Sequence, residues 1–192
     1  MRRIKKVGVL GGTFNPPHNG HIKMAQTVME ALKLDEVRFM PNAIAPHKHV
    51  RDDVSADMRL RMVELICWPY ERFFPFNYEI RKGGLSYTYD TMKDLSESEH
   101  FTHFYFIIGG DMIDTLETWH EIDALSELVT FVGVMRPGTK GFSKYPVEIV
   151  EMEPMDISST MIREKVARGE SISHLVPLAI EQIIREEGLY DV

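Results

Sequence analysis

Short apolar runs alternate along the chain with longer stretches whose apolar residues recur every three or four positions. Val7 to Leu10 is a buried-type strand bounded by Gly11 and Gly12. Ile22, Ala25, Val28, Met29 and Leu32 then follow helical spacing, in a helix opened by Asn19 or Gly20. Glu36 to Met40 reads as the second strand. Strand, helix and strand in that order imply a parallel βαβ unit with a right-handed crossover. Pro41 to Asp53 is expected as a loop, after which Ser55 caps a helix to Cys67 with Met58, Met62, Leu65 and Ile66 inward. Phe76 to Arg81 is expected as a third strand, broken by Gly83-Gly84, and Ser86 to Thr91 leads into a helix through Leu95. Phe104 to Ile108, Thr130 to Met135 and Val147 to Met152 read as further strands, the last two separated by a loop that ends at Tyr145. Ser158 to Thr160 open another helix. Pro177 starts the final one, with Ile180, Ile183 and Ile184 inward and Gly188 ending it. The pattern predicts an α/β fold: a doubly wound, mostly parallel sheet with a small helical C-terminal portion.

Composition narrows this picture only a little. At 192 residues, 44% hydrophobic and 27% charged, one domain spanning 1–192 with a substantial core is expected. A net charge of -7 argues against a protein that holds long nucleic acid through counterion release, but a phosphorylated metabolite needs only a few local donors. The single cysteine, Cys67, allows no internal disulfide, reads as a small buried hydrophobe and fits a reducing cytoplasm. No apolar run approaches membrane-spanning length, and the N-terminal one is too short for a secretory signal.

The candidate chemistry concentrates in Gly11-Gly12-Thr13-Phe14-Asn15-Pro16-Pro17-His18-Asn19-Gly20-His21, between the first strand and the first helix. The two glycines permit positive φ and a close approach of a ligand to the main chain. Unsatisfied N–H groups and the helix dipole attract anions at the helix start, where His18 and His21 can donate to phosphate oxygens. A Gly-Gly turn followed by a capping histidine is the purely structural alternative. No Gly-Lys-Ser/Thr follows, which excludes a Walker-type loop, and the Gly-x-Gly-x-x-Gly spacing is absent.

Elsewhere the residues leave two readings open. Lys48 suits a phosphate or is a solvated loop lysine. Ser158, Ser159 and Thr160, with Arg163 one turn on, suit polyphosphate or amount to simple capping. Asp111, at the end of the Phe104 strand, could take ribose hydroxyls or a metal-bound phosphate. Trp119 could stack on a flat ring or belong to the core.

Gly11 to His21 resembles the signature of the nucleotidyltransferases that carry a His-x-Gly-His motif, here His18-Asn19-Gly20-His21. More narrowly it resembles the bacterial nicotinate mononucleotide adenylyltransferases. Ile157-Ser158-Ser159-Thr160-Met161-Ile162-Arg163 is similar to the second signature of that superfamily. Pro46-His47-Lys48, Ser86-Tyr87-Thr88, Trp119 after Gly109-Gly110-Asp111 (usually Gly-Ala-Asp in the family) and the ending Glu187-Gly188-Leu189-Tyr190 extend the likeness over nearly the whole chain.

The resemblance implies a Rossmann-like fold and transfer of the adenylyl group of ATP to nicotinate mononucleotide. His18, His21 and Arg163 would be catalytic. Gly11, Gly12, Thr13, Phe14, Gly109, Asp111, Arg136, Ser159 and Thr160 would meet ATP. His47, Lys48, Ser86, Tyr87, Thr88, Trp119 and His120 would meet the mononucleotide. Mg²⁺ would travel with ATP, with no dedicated protein metal site. ATP and nicotinate mononucleotide are the implied partners, with no nucleic acid and no membrane; a homo-oligomer is left open. A phosphopantetheine adenylyltransferase or a cytidylyltransferase is disfavoured by Pro16-Pro17 and by Trp119. Nicotinamide mononucleotide as acceptor stays open. A non-catalytic nucleotide-binding regulator is disfavoured by His18, His21 and Arg163.

Overall fold

The structure, a computed structural model, describes residues 2–46 and 54–191. Six strands form one sheet: β1 (Lys5–Gly12), β2 (Glu36–Pro41), β3 (Phe73–Pro75), β4 (Thr102–Gly109), β5 (Val129–Met135) and β6 (Val147–Glu151). Their spatial order is β3-β2-β1-β4-β5-β6, and every pairing is parallel. The helices are α1 (Asn19–Leu32), α2 (Ala56–Cys67), α3 (Tyr78–Lys82), α4 (Thr88–Ser98), α5 (Ile122–Leu128), α6 (Ser159–Ala167) and α7 (Leu178–Glu186), with a 3-10 segment over Gly110–Thr118.

Alternation along the inner strands sends side chains to two buried layers. Leu10, Phe39, Ile107 and Val132 join Ile22, Ala25 and Val28 of α1, Met62 and Ile66 of α2, and Ile180, Ile183 and Ile184 of α7. Val7, Val9, Phe104, Phe106, Ile108 and Phe131 face the other way, onto Met92 and Leu95 of α4, Ile113, Leu116 and Leu125. Both faces are therefore covered, as the doubly wound expectation requires. Met29 and Leu32 pack at the margin of the first layer, half-buried.

The crossover between β1 and β2 is closely fitted. A Cβ on Gly8 would stand 2.8 Å from Leu34 Cδ1 and 3.2 Å from Val37 Cγ2, so only glycine lets the chain return this close to the strand. Lys33 ends α1 in the left-handed region, at φ 52°.

Phe76 to Arg81 is not a strand. The strand lies earlier, at Phe73–Pro75, and Tyr78–Lys82 is a short helix. The alternating Phe76, Tyr78 and Ile80 imitate a half-buried strand. Phe76 instead donates its N–H to Phe39 O at 2.8 Å, and Arg81 N–H closes a helical turn on Asn77 O at 2.9 Å. The side chain that this turn buries is Glu79, a position that strand periodicity would have turned outward.

The order of the sheet reverses between β1 and β4, so the connections leaving these neighbours run to opposite sides. The crevice beyond their carboxyl ends is where ligands enter such sheets. Gly12 and Gly109 stand at that crevice.

Leu34 is 1% exposed at the centre of the β1–β2 crossover, whereas Trp68, at the end of α2, is 89% exposed. Leu34→Ala is expected to cost about 2–5 kcal/mol in urea unfolding. Trp68→Ala is expected to stay within about 0.5 kcal/mol.

Candidate active site

The turn after β1 is held by its own histidines. His18 is the N-cap of α1, and its Nδ1 accepts the Gly20 N–H at 3.1 Å. His21 Nδ1 accepts the His18 N–H at 3.1 Å, which completes a capping box made of imidazoles. The two rings stack with centroids 3.8 Å apart. Because both Nδ1 atoms accept, the proton of each neutral ring sits on Nε2, so each imidazole is a donor on its far side. Burial holds His18 down to about 4, which keeps that ring uncharged at neutral pH.

The glycines do not supply the turn. Neither Gly11 nor Gly12 has positive φ; both remain in β1, paired with Met40 and Pro41. The left-handed residue is Phe14, at φ 52°. Its ring is buried against His21 and Phe39, at 4.9 and 6.1 Å between centroids, and this packing holds the strained backbone. The glycines are small for a different reason. A Cβ on Gly11 would press on the Phe106 ring at 3.1 Å, and one on Gly12 would meet the Phe14 ring at 3.4 Å.

The start of α6 closes onto this turn from the far end of the chain. Ser159 Oγ donates to Pro16 O at 2.8 Å, and Arg163 donates to Asn15 O at 2.7 Å and to Thr160 Oγ1 at 3.1 Å. Ser158 caps the helix through Met161 N–H at 3.1 Å. Tyr190 adds a buried bond from its hydroxyl to Asn15 Oδ1 at 2.5 Å. The two signature stretches thus form one surface: imidazole donors from α1, hydroxyls and a guanidinium from α6.

The remaining candidates divide. Gly109 ends β4, and the exposed Asp111 folds its carboxylate back over it, so that a Cβ there would lie 2.8 Å from Oδ1. Gly110 is pressed against Val134 O, where a Cβ would come within 3.3 Å, which accounts for a small residue at that point. Arg136 is exposed just beyond β5, next in the sheet to β4. Ser86 accepts the Ala43 N–H at 3.0 Å and donates its own N–H to Ile44 O at 3.0 Å, tying the start of α4 to the loop after β2. Tyr87 is the N-cap of α4 without a side-chain cap, and its ring lies 4.5 Å from that of His120. Trp119 is half-buried, meeting Phe106 and Phe131 edge-on at 5.9 Å. It is therefore anchored in the second core layer, as the structural alternative expected. His47 and Lys48 lie outside the described residues. Among the described residues, no group of three or more His, Cys, Asp or Glu side chains is placed to hold a metal, and no helix is long and apolar enough to cross a membrane.

Sequence reasoning missed Arg59. It is 1% exposed, and its guanidinium spans two loops, donating to Thr13 O at 2.8 Å, Asn42 O at 2.8 Å and Ala43 O at 3.1 Å. No carboxylate pairs with it among the described residues. The available signal was positional: Arg59 stands one turn before Met62 and Val63, on the inward face of α2. Glu79 and the Asn15–Tyr190 pair were missed as well. The first was hidden by the strand misreading, and the second has no local signal at all.

Residues 9–165 match the family model described as cytidylyltransferase-like, and the chain belongs to that family of nucleotidyltransferases. Its full-length relatives narrow the assignment. It is 49% identical to a "Probable nicotinate-nucleotide adenylyltransferase" of Lactiplantibacillus plantarum, over 97% of this chain and 89% of that one. It is 44% identical to the protein of the same name from Bacillus cereus, over 98% of this chain and all of the relative. Within the family the chain is thus a member of the nicotinate-nucleotide adenylyltransferase group. The fold is shared with the Plasmodium falciparum nicotinic acid mononucleotide adenylyltransferase complexed with NaAD, at a TM-score of 0.81, 19% identity and 97% coverage of both chains.

Two stability predictions follow from this geometry. His18 is held neutral in the folded state, with its ordinary value of 6.5 lowered to about 4. Its contribution is present above about pH 6.5 and is lost as the pH falls towards 4, up to roughly 3 kcal/mol. Urea unfolding across that window should show an acid slope that flattens in His18→Gln. Arg59→Met should cost about 2–5 kcal/mol by the same measurement. Arg59→Lys should recover only part, because an ammonium cannot fork across two loops.

Proposed function

We propose that this chain transfers the adenylyl group of ATP to nicotinate mononucleotide, giving nicotinate adenine dinucleotide and pyrophosphate in NAD biosynthesis, with 1–192 acting as one catalytic domain. The observation that carries this reading is the closure of α6 on the β1–α1 turn, with Arg163 on Asn15 O and Ser159 on Pro16 O. It gathers imidazole, hydroxyl and guanidinium donors at one point of the crevice, where a polyphosphate has most need of them.

The chemistry asks for no protein nucleophile. A phosphate oxygen of the mononucleotide attacks the α-phosphorus of ATP, and the bond to the bridging oxygen of the β-phosphate breaks. Negative charge shifts onto pyrophosphate and no proton must move, so catalysis consists of positioning and charge stabilisation. The Nε2–H groups of His18 and His21 donate to the transferring phosphate. Neutral donors can do this without becoming general acids, which fits the low value of His18. Ser159, Thr160 and Arg163 steady the β and γ phosphates. Two contacts of the Arg163 guanidinium are structural and pre-set its plane, leaving its other N–H groups for phosphate. Mg²⁺ enters on the nucleotide, as part of the substrate.

Gly11, Gly12, Thr13 and Phe14 line the nucleotide side with Gly109, Asp111 and Arg136. Lys48 and His47 take the acceptor phosphate. The amides of Tyr87 and Thr88 at the start of α4, with Ser86 beside them, take the pyridine carboxylate, where the absence of a side-chain cap leaves N–H groups for it. Trp119 and His120 flank the ring. The anchoring of Trp119 on Phe106 and Phe131 gives it a fixed orientation for that contact.

The test is pyrophosphate release with ATP and Mg²⁺, offering nicotinate and nicotinamide mononucleotides in parallel. Release with the acid well above the amide is expected; no release with either overturns the reading. His21→Ala should lower turnover by about 10²-fold or more. Its cost in stability should be only about 1 kcal/mol, the value of its capping bond. Turnover close to that of the wild type would remove His21 from the mechanism.

A further inference from the structure

Glu79 has no part in that mechanism, yet it is a carboxylic acid only 6% exposed, set directly behind the start of α4. Thr91, on the first turn of α4, donates its hydroxyl to Glu79 Oε1 at 3.1 Å. The Ser86 hydroxyl accepts the Ala43 N–H at 3.0 Å and lines the same small cavity as Glu79. Glu79 therefore holds the Thr91 hydroxyl of α4, the helix whose start at Tyr87 and Thr88 has no side-chain cap, and Ser86 stands just before those amides. A small cavity lies against it, lined by Lys82, Leu85, Ser86, Tyr87 and Asp90.

We propose that Glu79 is a positioning and specificity residue for the acceptor ring: through Thr91 it sets the start of α4, and its charge decides how well that start takes a ring bearing a carboxylate rather than a carboxamide. This rests on the acceptor reading given above. Ionised, Glu79 places a like charge beside the amides that would hold the carboxylate. Protonated, it keeps its hydrogen bonds and offers no repulsion. Burial pushes the carboxyl group up to about 7, so both forms are populated near neutrality. The charged groups around it are Lys82 on its own helix and Asp90 on α4, joined by the Tyr87 phenol and the His120 ring packed on it. The Ala43–Ile44 backbone brings no titrating side chain.

The sign follows from linkage. Glu79 loses its proton as the pH rises through about 7, so affinity for the anionic ring falls over that range. By the same relation, binding of the acid draws a proton onto Glu79, whereas binding of the amide does not. The phosphate of the mononucleotides also titrates near about pH 6, but it is common to both acceptors and cancels in their ratio.

The experiment compares kcat/KM for the acid and amide mononucleotides from about pH 6 to about pH 8.5, in wild type, Glu79→Gln and Thr91→Val. In wild type the acid-to-amide ratio should fall by about threefold to about tenfold through pH 7, mostly in KM. The fall should vanish in Glu79→Gln. Any slope owed to His120, Asp90 or Lys82 would persist there. Thr91→Val removes a donor that favours the ionised form, so its midpoint should move to higher pH. Calorimetry of the wild type in two buffers of different ionisation enthalpy should report more proton uptake with the acid than with the amide. An unchanged slope in Glu79→Gln overturns the proposal, as does equal proton uptake with both acceptors. If Glu79→Gln does not fold, the Thr91→Val midpoint and the wild-type calorimetry decide. Turnover of the acid without these effects removes the role of Glu79 alone. Turnover of neither acceptor removes the acceptor reading, and this proposal with it.

Discussion

The guanidinium of Arg59 is the interaction on which the site depends. Parallel strands deliver their loops to one edge of the sheet but do not bind those loops to each other. Arg59 does so at the ends of β1 and β2, with one planar group on Thr13 O, Asn42 O and Ala43 O. Asn42 adds a donor to Thr13 Oγ1 at 3.3 Å, and the Ala43 N–H passes the connection on to Ser86. The turn after β1, residues 42–44 after β2 and the start of α4 are therefore tied together by hydrogen bonds. A buried charge is expensive, and among the described residues its partners are carbonyl dipoles rather than a carboxylate. The choice has an electrostatic consequence. A carboxylate partner would cancel the positive charge beneath an anion site, whereas carbonyls leave its sign intact.

The proposed site explains how a chain with a net charge of -7 would take a polyanion. The work is local. Burial keeps His18 uncharged, α4 and α6 open with amide groups, Arg163 is held by Asn15 O, and Arg59 is fixed on the Thr13 and Asn42 carbonyls. None of these needs a positive surface. Surface ion pairs such as Arg168 with Glu170 are neutral overall and contribute little to stability.

What could be read from the chain follows from how local each signal is. The inner strands, α1, α2, α6 and α7 were legible because their burial patterns are short in range and regular. Gly11–His21 and Ile157–Arg163 were legible as chemistry because donors cluster there within a single turn. The failures share a cause. Phe76, Tyr78 and Ile80 alternate as a strand would, yet the tertiary structure needs a helical turn there to bury Glu79. Gly11 and Gly12 look like the turn, but the turn falls on Phe14, whose ring packs on His21 and Phe39. Arg59 was passed over because its meaning lies in three carbonyls from other segments. His47 and Lys48 fall outside the described residues, and their role stays with the proposal.

The placement of charge in the pocket wall carries one more consequence. A site that distinguishes a pyridine acid from its amide cannot rely on shape, because the two groups are nearly isosteric, and a modest difference of one polar atom separates them. Discrimination has to come from charge and hydrogen-bond polarity, and both act most strongly where water is excluded and the dielectric is low. In the proposed acceptor site the start of α4 meets that condition on one side, where the buried Glu79 accepts from the Thr91 hydroxyl. A fixed lysine there would favour the acid more strongly, but it would also hold the dinucleotide product, which bears the same carboxylate. In the role proposed for Glu79, backbone amides backed by an acid that can be either charged or neutral would give a weaker and adjustable preference. That arrangement suits an enzyme that must release its product as readily as it selects its substrate.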